Sequence, residues 1–188
     1  MKPLADPIKA VDLYRVISLE LHPWLLQHNL HRLKDSRSGW FSPVGSRFFL
    51  MTLSHAKNAS PDHFVGSQFR VDVGMADQPL RSSAVFRNVA LYLEETQLRQ
   101  LLEIQNRIIT ELPYPSLYQH HAGEHVHSKI QSWYLRKFEP VTAFEERLDN
   151  VFLRYRSKED AKKWAAFLQA NLPIVIDRFK SGKPALWD

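Results

Sequence analysis

The chain contains no cysteine. That absence removes disulfides, thiolate nucleophiles, zinc fingers and cysteine-ligated iron–sulfur clusters from the chemistry it can perform. Glycine is scarce, with six in 188 residues, so loops that cradle phosphate are poorly supplied. Neither a P-loop, nor the dinucleotide pattern G-x-G-x-x-G, nor the G-x-S-x-G elbow of serine hydrolases occurs. No run of about 18 apolar residues of the kind that spans a bilayer is found. The opening residues Met1-Lys2-Pro3-Leu4-Ala5-Asp6-Pro7 carry one basic side chain with no apolar stretch behind it, so no secretory signal is read. The expectation is a cytoplasmic protein without a membrane role.

Long runs of one charge are missing too. The formal charge is +5, but acids are interleaved with the bases, so the excess permits weak attraction to nucleic acid or an acidic partner without marking a binding tail. Apolar residues make up 44% of the chain and charged residues 24%, the balance of a globular protein rather than a disordered one. A length of 188 residues fits one domain, 1–188, with a core of its own.

The apolar periodicity changes along the chain. Ile8, Val11, Tyr14, Ile17 and Leu21 recur at three- and four-residue steps, predicting a helix near 7–31 that starts at an Asp6 cap with Pro7 in the first turn and is kinked or restarted at Pro23. Aromatic-rich sequence around Trp40-Phe41 and over 47–54 reads as strand, broken by turn residues at Ser42-Pro43 and Gly45-Ser46. From 68 to 75 the alternation is strict, with Phe69, Val71 and Val73 on one face and Arg70 and Asp72 on the other. Further strands are predicted over 83–86, 89–93 and 150–156.

A second helix is predicted over 96–112, its stripe formed by Leu98, Leu101, Leu102, Gln105, Ile108, Ile109 and Leu112. The segment 130–138 is ambiguous between helix and strand. Ser157 followed by Asp160 is a capping pair that opens a helix over 158–170, and a separate helical segment follows Pro173. Strands are grouped rather than alternating with helices. The expected fold class is therefore α+β, a mainly antiparallel sheet with helices packed on one face.

Three constellations carry candidate chemistry. His120, His121, His125 and His127, with Glu124 among them, supply imidazole nitrogens for a metal, and metal-activated water would give a hydrolase with Glu124 accepting the proton. The same segment lacks H-E-x-x-H and reads equally as a solvated, histidine-rich loop. Glu145, Glu146 and Asp149 form a carboxylate group able to do acid–base work, or a solvated helix face. Arg154, Tyr155, Arg156, Lys158, Lys162 and Lys163 mix cations with an aromatic in the manner of a nucleic-acid surface, interrupted by Glu159 and Asp160. Trp187, close to the end of the chain, either docks on the body or is exposed. No cofactor is expected.

Phe69-Arg-Val-Asp-Val-Gly-Met75, the aromatic segment Trp133-Tyr-Leu-Arg-Lys-Phe138, and Asp149-Asn-Val-Phe-Leu-Arg-Tyr155 with the Ser157 cap and Trp164 together resemble a bacterial family catalogued only as a domain of unknown function. The resemblance covers most of residues 10–180 and is structural, transferring no catalytic residue. It implies a protein partner, of the kind met by toxin-immunity factors. The leading expectation is a non-catalytic protein that binds a macromolecule, with the histidine-based hydrolase and a weak nucleic-acid binder as alternatives.

Overall fold

The computed structural model describes residues 6–55, 62, 64–113, 134–142 and 148–187. Among these, the elements run α1 (Ala10–Gln27), β1 (His31–Arg32), β2 (Gly39–Val44), β3 (Arg47–His55), β4 (Ser67–Ala76), β5 (Arg87–Asn88), α2 (Glu95–Thr110), β6 (Leu153–Tyr155) and α3 (Lys158–Lys180). The six strands form one antiparallel sheet in the order β1-β2-β3-β4-β5. Strand β4 is its centre. One edge of β4 pairs with β3 along its length, while the other is shared by β5 at Asp72–Val73 and by β6 at Ser67–Phe69. The class is the α+β one that the grouped strands predict.

The pleat explains the layers. Phe49, Met51 and Leu53 of β3 and Phe69, Val71 and Val73 of β4 are all buried and join the main core with Leu13, Ile17, Leu21 and Leu25 of α1, Leu101 and Ile108 of α2, and Trp164, Leu168 and Leu172 of α3. Alternate residues point to the other face, as period 2 requires. That outer face is divided. At one end Leu50 and Ala76 pack with Leu33, Phe41, Phe48, Ala84 and Phe86. At the other end it is polar, with Ser54, Arg70, Gln68 and Arg154.

Helix α1 starts later and ends earlier than its periodicity suggests. Lys9 rather than Asp6 occupies the cap position, and Pro23 lies inside a continuous helix. The helix stops at Asn29, which adopts φ 56°, the left-handed conformation that asparagine tolerates best after glycine. Asn29 N–H then donates to Leu26 and Leu30 N–H to Leu25 at 2.8 Å, a Schellman closure with Leu25 and Leu30 both buried.

Helix α3 opens as expected. Ser157 Oγ accepts from Asp160 N–H at 3.1 Å, and Asp160 Oδ2 accepts in return from Ser157 N–H at 2.9 Å. Pro173 does not divide it; one helix runs through to Lys180. The strands predicted over 83–86 and 89–93 are absent. Asn88 Oδ1 accepts from Ala90 N–H at 3.0 Å and winds Val89–Tyr92 into a 3-10 turn. Asparagine capping thus overrides the β-branched and aromatic content of that stretch. Of the ambiguous 130–138 segment, residues 134–138 are helical.

Candidate functional site

Strand β6 is three residues long and puts its middle residue in an unusual place. Leu153 and Tyr155 face the core and are buried. Arg154, their alternate, points to the polar half of the outer face, where an arginine would ordinarily reach water. It is only 6% exposed. Its backbone is fixed on both sides: the N–H donates to Gln105 Oε1 of α2 at 3.0 Å, and the carbonyl accepts from the Trp164 indole at 2.7 Å.

Two distant parts of the chain meet close enough to Arg154 to act on its charge. Asp62 forms an isolated bridge with Gly66, and its Oδ1 accepts from Phe64 N–H at 2.9 Å, Val65 N–H at 2.8 Å and the Tyr134 hydroxyl at 2.9 Å. Tyr134 packs with Val65 and Leu112, with Phe64 and Phe138 alongside. Gly66 makes this turn possible. Its φ is +78°, and a Cβ there would lie 2.2 Å from the Tyr155 carbonyl oxygen.

The electrostatics follow from that meeting. Burial pushes the Arg154 guanidinium down to about 10, a shift that Asp62 and the Tyr134 phenol oppose. It therefore stays cationic at neutral pH. Lys137, its Nζ 5.3 Å from the centre of the Tyr134 ring, is lowered by burial; Asp62 opposes the shift and Arg154 adds to it. Among the described residues, Arg154 Nε and Nη1 have no hydrogen-bond partner. The next row of the sheet is satisfied by contrast: Arg70 Nη2 lies 2.6 Å from Asp72 Oδ1, and Ser54 Oγ donates to Asp72 Oδ2 at 2.7 Å.

A second surface is defined by α1. Its buried stripe, Leu13, Ile17, Leu21 and Leu25, faces the core. The opposite stripe, Val11, Arg15, Leu19, His22 and Leu26, keeps the same three- and four-residue spacing. Val11, Leu19 and Leu26 on it are 69%, 67% and 64% exposed. Helix α2 differs: Glu95, Arg99, Gln100, Glu103 and Arg107 make its exposed side polar and charged.

The other predicted residues are distributed as follows. His120, His121, Glu124, His125 and His127 lie outside the described residues, as do Glu145 and Glu146. Among the described residues no three histidines or carboxylates are grouped to hold a metal ion. Asp149 sits 3.7 Å from Arg87 Nη2.

The basic stretch does not assemble into a strip. Tyr155 is buried in the core, Lys162 bonds Glu159 at 2.9 Å, and Lys163 lies 2.8 Å from Glu111 and 3.5 Å from Asp160. Trp187 docks on the body, its indole donating to the Leu93 carbonyl at 2.8 Å, with 43% of the residue left exposed. None of the described helices is long and apolar enough to cross a membrane. No family model, curated protein or solved structure matches this chain.

Proposed function

We propose that this chain is a non-catalytic binding protein that holds a protein partner against the outer face of α1. The observation that carries the reading is the doubled apolar character of that helix. A surface helix normally shows one apolar stripe and an opposite charged face, and a helix apolar on both sides belongs inside something. Here the inner stripe is fully buried while Val11, Leu19 and Leu26 stay about two-thirds exposed on the other. The three span roughly 22 Å at 1.5 Å per residue, a length suited to helix-in-groove recognition. Arg15 and His22 between them add a polar element that helps to set register with a partner.

The sequence resemblance, to a bacterial domain family of unknown function, implies a protein partner as well, with a toxin as one example. The basic balance of the sequence disfavours one version of it, since neutralising a basic nuclease calls for an acidic surface.

The test is the double variant Leu19→Glu, Leu26→Glu. Both side chains are solvent-facing, so its unfolding free energy should stay within about 0.5 kcal/mol of the parent. Affinity isolation at low salt should recover a stoichiometric protein with the parent and lose it with the variant. Sedimentation of the purified chain separates a second copy from a different partner. Equal recovery with both proteins, or none with either, would remove the reading.

A further inference from the structure

We propose that the carbonyls of Leu91 and Leu93 form a docking seat for an extended segment of a partner protein, one carrying an apolar residue followed by tryptophan. In this chain the seat is filled by residues 184–187. The proposal does not rest on the reading of α1.

The seat lies between two elements. The 3-10 turn Val89–Tyr92 closes with Leu93 N–H donating to the Ala90 carbonyl at 3.3 Å, and α2 begins at Glu95. Leu186 N–H donates to the Leu91 carbonyl at 2.8 Å, and the Trp187 indole donates to the Leu93 carbonyl at 2.8 Å. The Pro184 carbonyl accepts from Arg178 Nη2 at 3.0 Å, and Ala185 packs against the main core. One main-chain donor fixes the register, and the side chain that follows it is read by its own N–H. Extended peptides are recognised by this division, main-chain bonds giving affinity and side chains giving specificity. The support is rigid. Tyr92, between the two acceptors, stacks on Phe179 with ring centroids 4.7 Å apart, and Phe179 lies 5.2 Å from Phe49 of β3.

The occupant is separable from the fold. Helix α3 is closed before residue 184: Ser181 N–H donates to Asp177 at 3.0 Å, Gly182 N–H to Phe179 at 3.1 Å and Lys183 N–H to Arg178 at 3.0 Å. Gly182 takes φ +63°, and nothing lies within 4 Å of the place a Cβ would occupy. Residues 184–187 can therefore leave without breaking a helical bond. Each hydrogen bond they give up is exchanged for one with water, so its net worth is small. Leu186 and Trp187 keep 40% and 43% of their surface exposed while docked. A segment held in this way opens locally well before the fold does.

The chain's own segment also defines the ligand. An incoming segment must offer a main-chain N–H to Leu91 and a side-chain N–H to Leu93. Tryptophan joins a large apolar surface to a single donor with no acceptor, whereas phenylalanine has no donor. The ligand must also displace residues 184–187, which a short connection presents at an effective concentration on the order of millimolar. A whole protein partner meets that competition through added contacts with apolar surface around the seat.

The experiment is fluorescence anisotropy of a labelled, end-capped Lys-Pro-Ala-Leu-Trp peptide titrated with the full chain. The proteins compared are the parent, the double variant Leu186→Gly, Trp187→Gly, and Trp187→Phe. The double variant is expected to bind saturably. The parent is expected to bind at least about tenfold more weakly, because its seat is filled. A peptide with phenylalanine for tryptophan should bind the double variant about three- to tenfold more weakly, through loss of one neutral hydrogen bond. A peptide with its leucine and tryptophan exchanged should not bind. Where the double variant does not fold, Trp187→Phe serves, since it lacks only the indole donor and should bind about three- to tenfold more tightly than the parent. No saturable binding to either variant, equal binding to parent and variants, or equal binding of the exchanged peptide would overturn the proposal. A parent dimer that the peptide dissociates in sedimentation would overturn it too, because residues 184–187 of a second copy would then be the occupant.

Discussion

Tyr14 shows how a single partly buried phenol sets a limit on the stability of the fold. It sits on α1 packed against the main core, and burial, helped by the nearby Tyr155 phenol, pushes it up to about 12 from an ordinary value of 10.0. An acid raised in this way holds its proton more tightly in the folded chain than in the unfolded one. Its contribution to stability is complete below the unfolded value and is lost as pH climbs from about 10 towards about 12. Tyr14→Phe removes that ionisation. The urea midpoint of the variant should therefore fall less than that of the parent between about pH 9 and about pH 11. Parallel losses in the two proteins would show that Tyr14 does not carry the effect. Arg154 presents the opposite case, a base lowered by burial, and its burial was not legible in the sequence. It stands in a basic stretch that reads as surface, and the groups that act on it, Asp62 and Tyr134, are partners 72 residues apart whose pairing no local pattern announces.

At the scale of elements, the legible parts were those whose signal is local. The alternation through Phe69, Val71 and Val73 is reproduced in β4, and the Ser157–Asp160 pair caps α3 as read. Local signals that were misread have local explanations as well. Asn29 closes α1 by taking the left-handed conformation, so the apolar Leu30 serves the Schellman contact rather than extending the helix. Asn88 turns an apolar stretch into a 3-10 turn. Prolines 23 and 173 are accommodated inside long helices whose packing against each other holds them; the Gln169 side chain of α3 donates to the Glu20 carbonyl of α1 at 2.7 Å. The turn before β4 is the element with least latitude. Gly66→Ala adds a Cβ where φ is positive and where the Tyr155 carbonyl blocks it, so β6 must separate from β4 or the turn must open. A loss of roughly 1–3 kcal/mol or more is expected from denaturant unfolding. A change below about 0.5 kcal/mol would mean that the turn is not needed to hold β6.

For the whole molecule, the sheet's two faces and the outer sides of α1 and α2 divide the work. One sheet face builds the core with α1, α2 and α3. The other is closed by apolar side chains at one end and is polar at the other, where Arg154 is buried. The exterior of α2 is charged, whereas the exterior of α1 exposes Val11, Leu19 and Leu26 alongside Arg15 and His22. Periodicity reads one stripe on α1, Ile8, Val11, Tyr14, Ile17 and Leu21; packing places Val11 instead on an outer stripe with Leu19 and Leu26 that the spacing did not reveal. The central claim is that α1 is an interface. Its most direct test is a photo-crosslinking amino acid placed at Leu19 and, as a control, at Arg99 on the charged side of α2, with each protein irradiated in its native cell. The expected result is one discrete adduct of defined mass from position 19 and none from position 99. Adducts of the same pattern from both positions, or none from position 19, would contradict the claim.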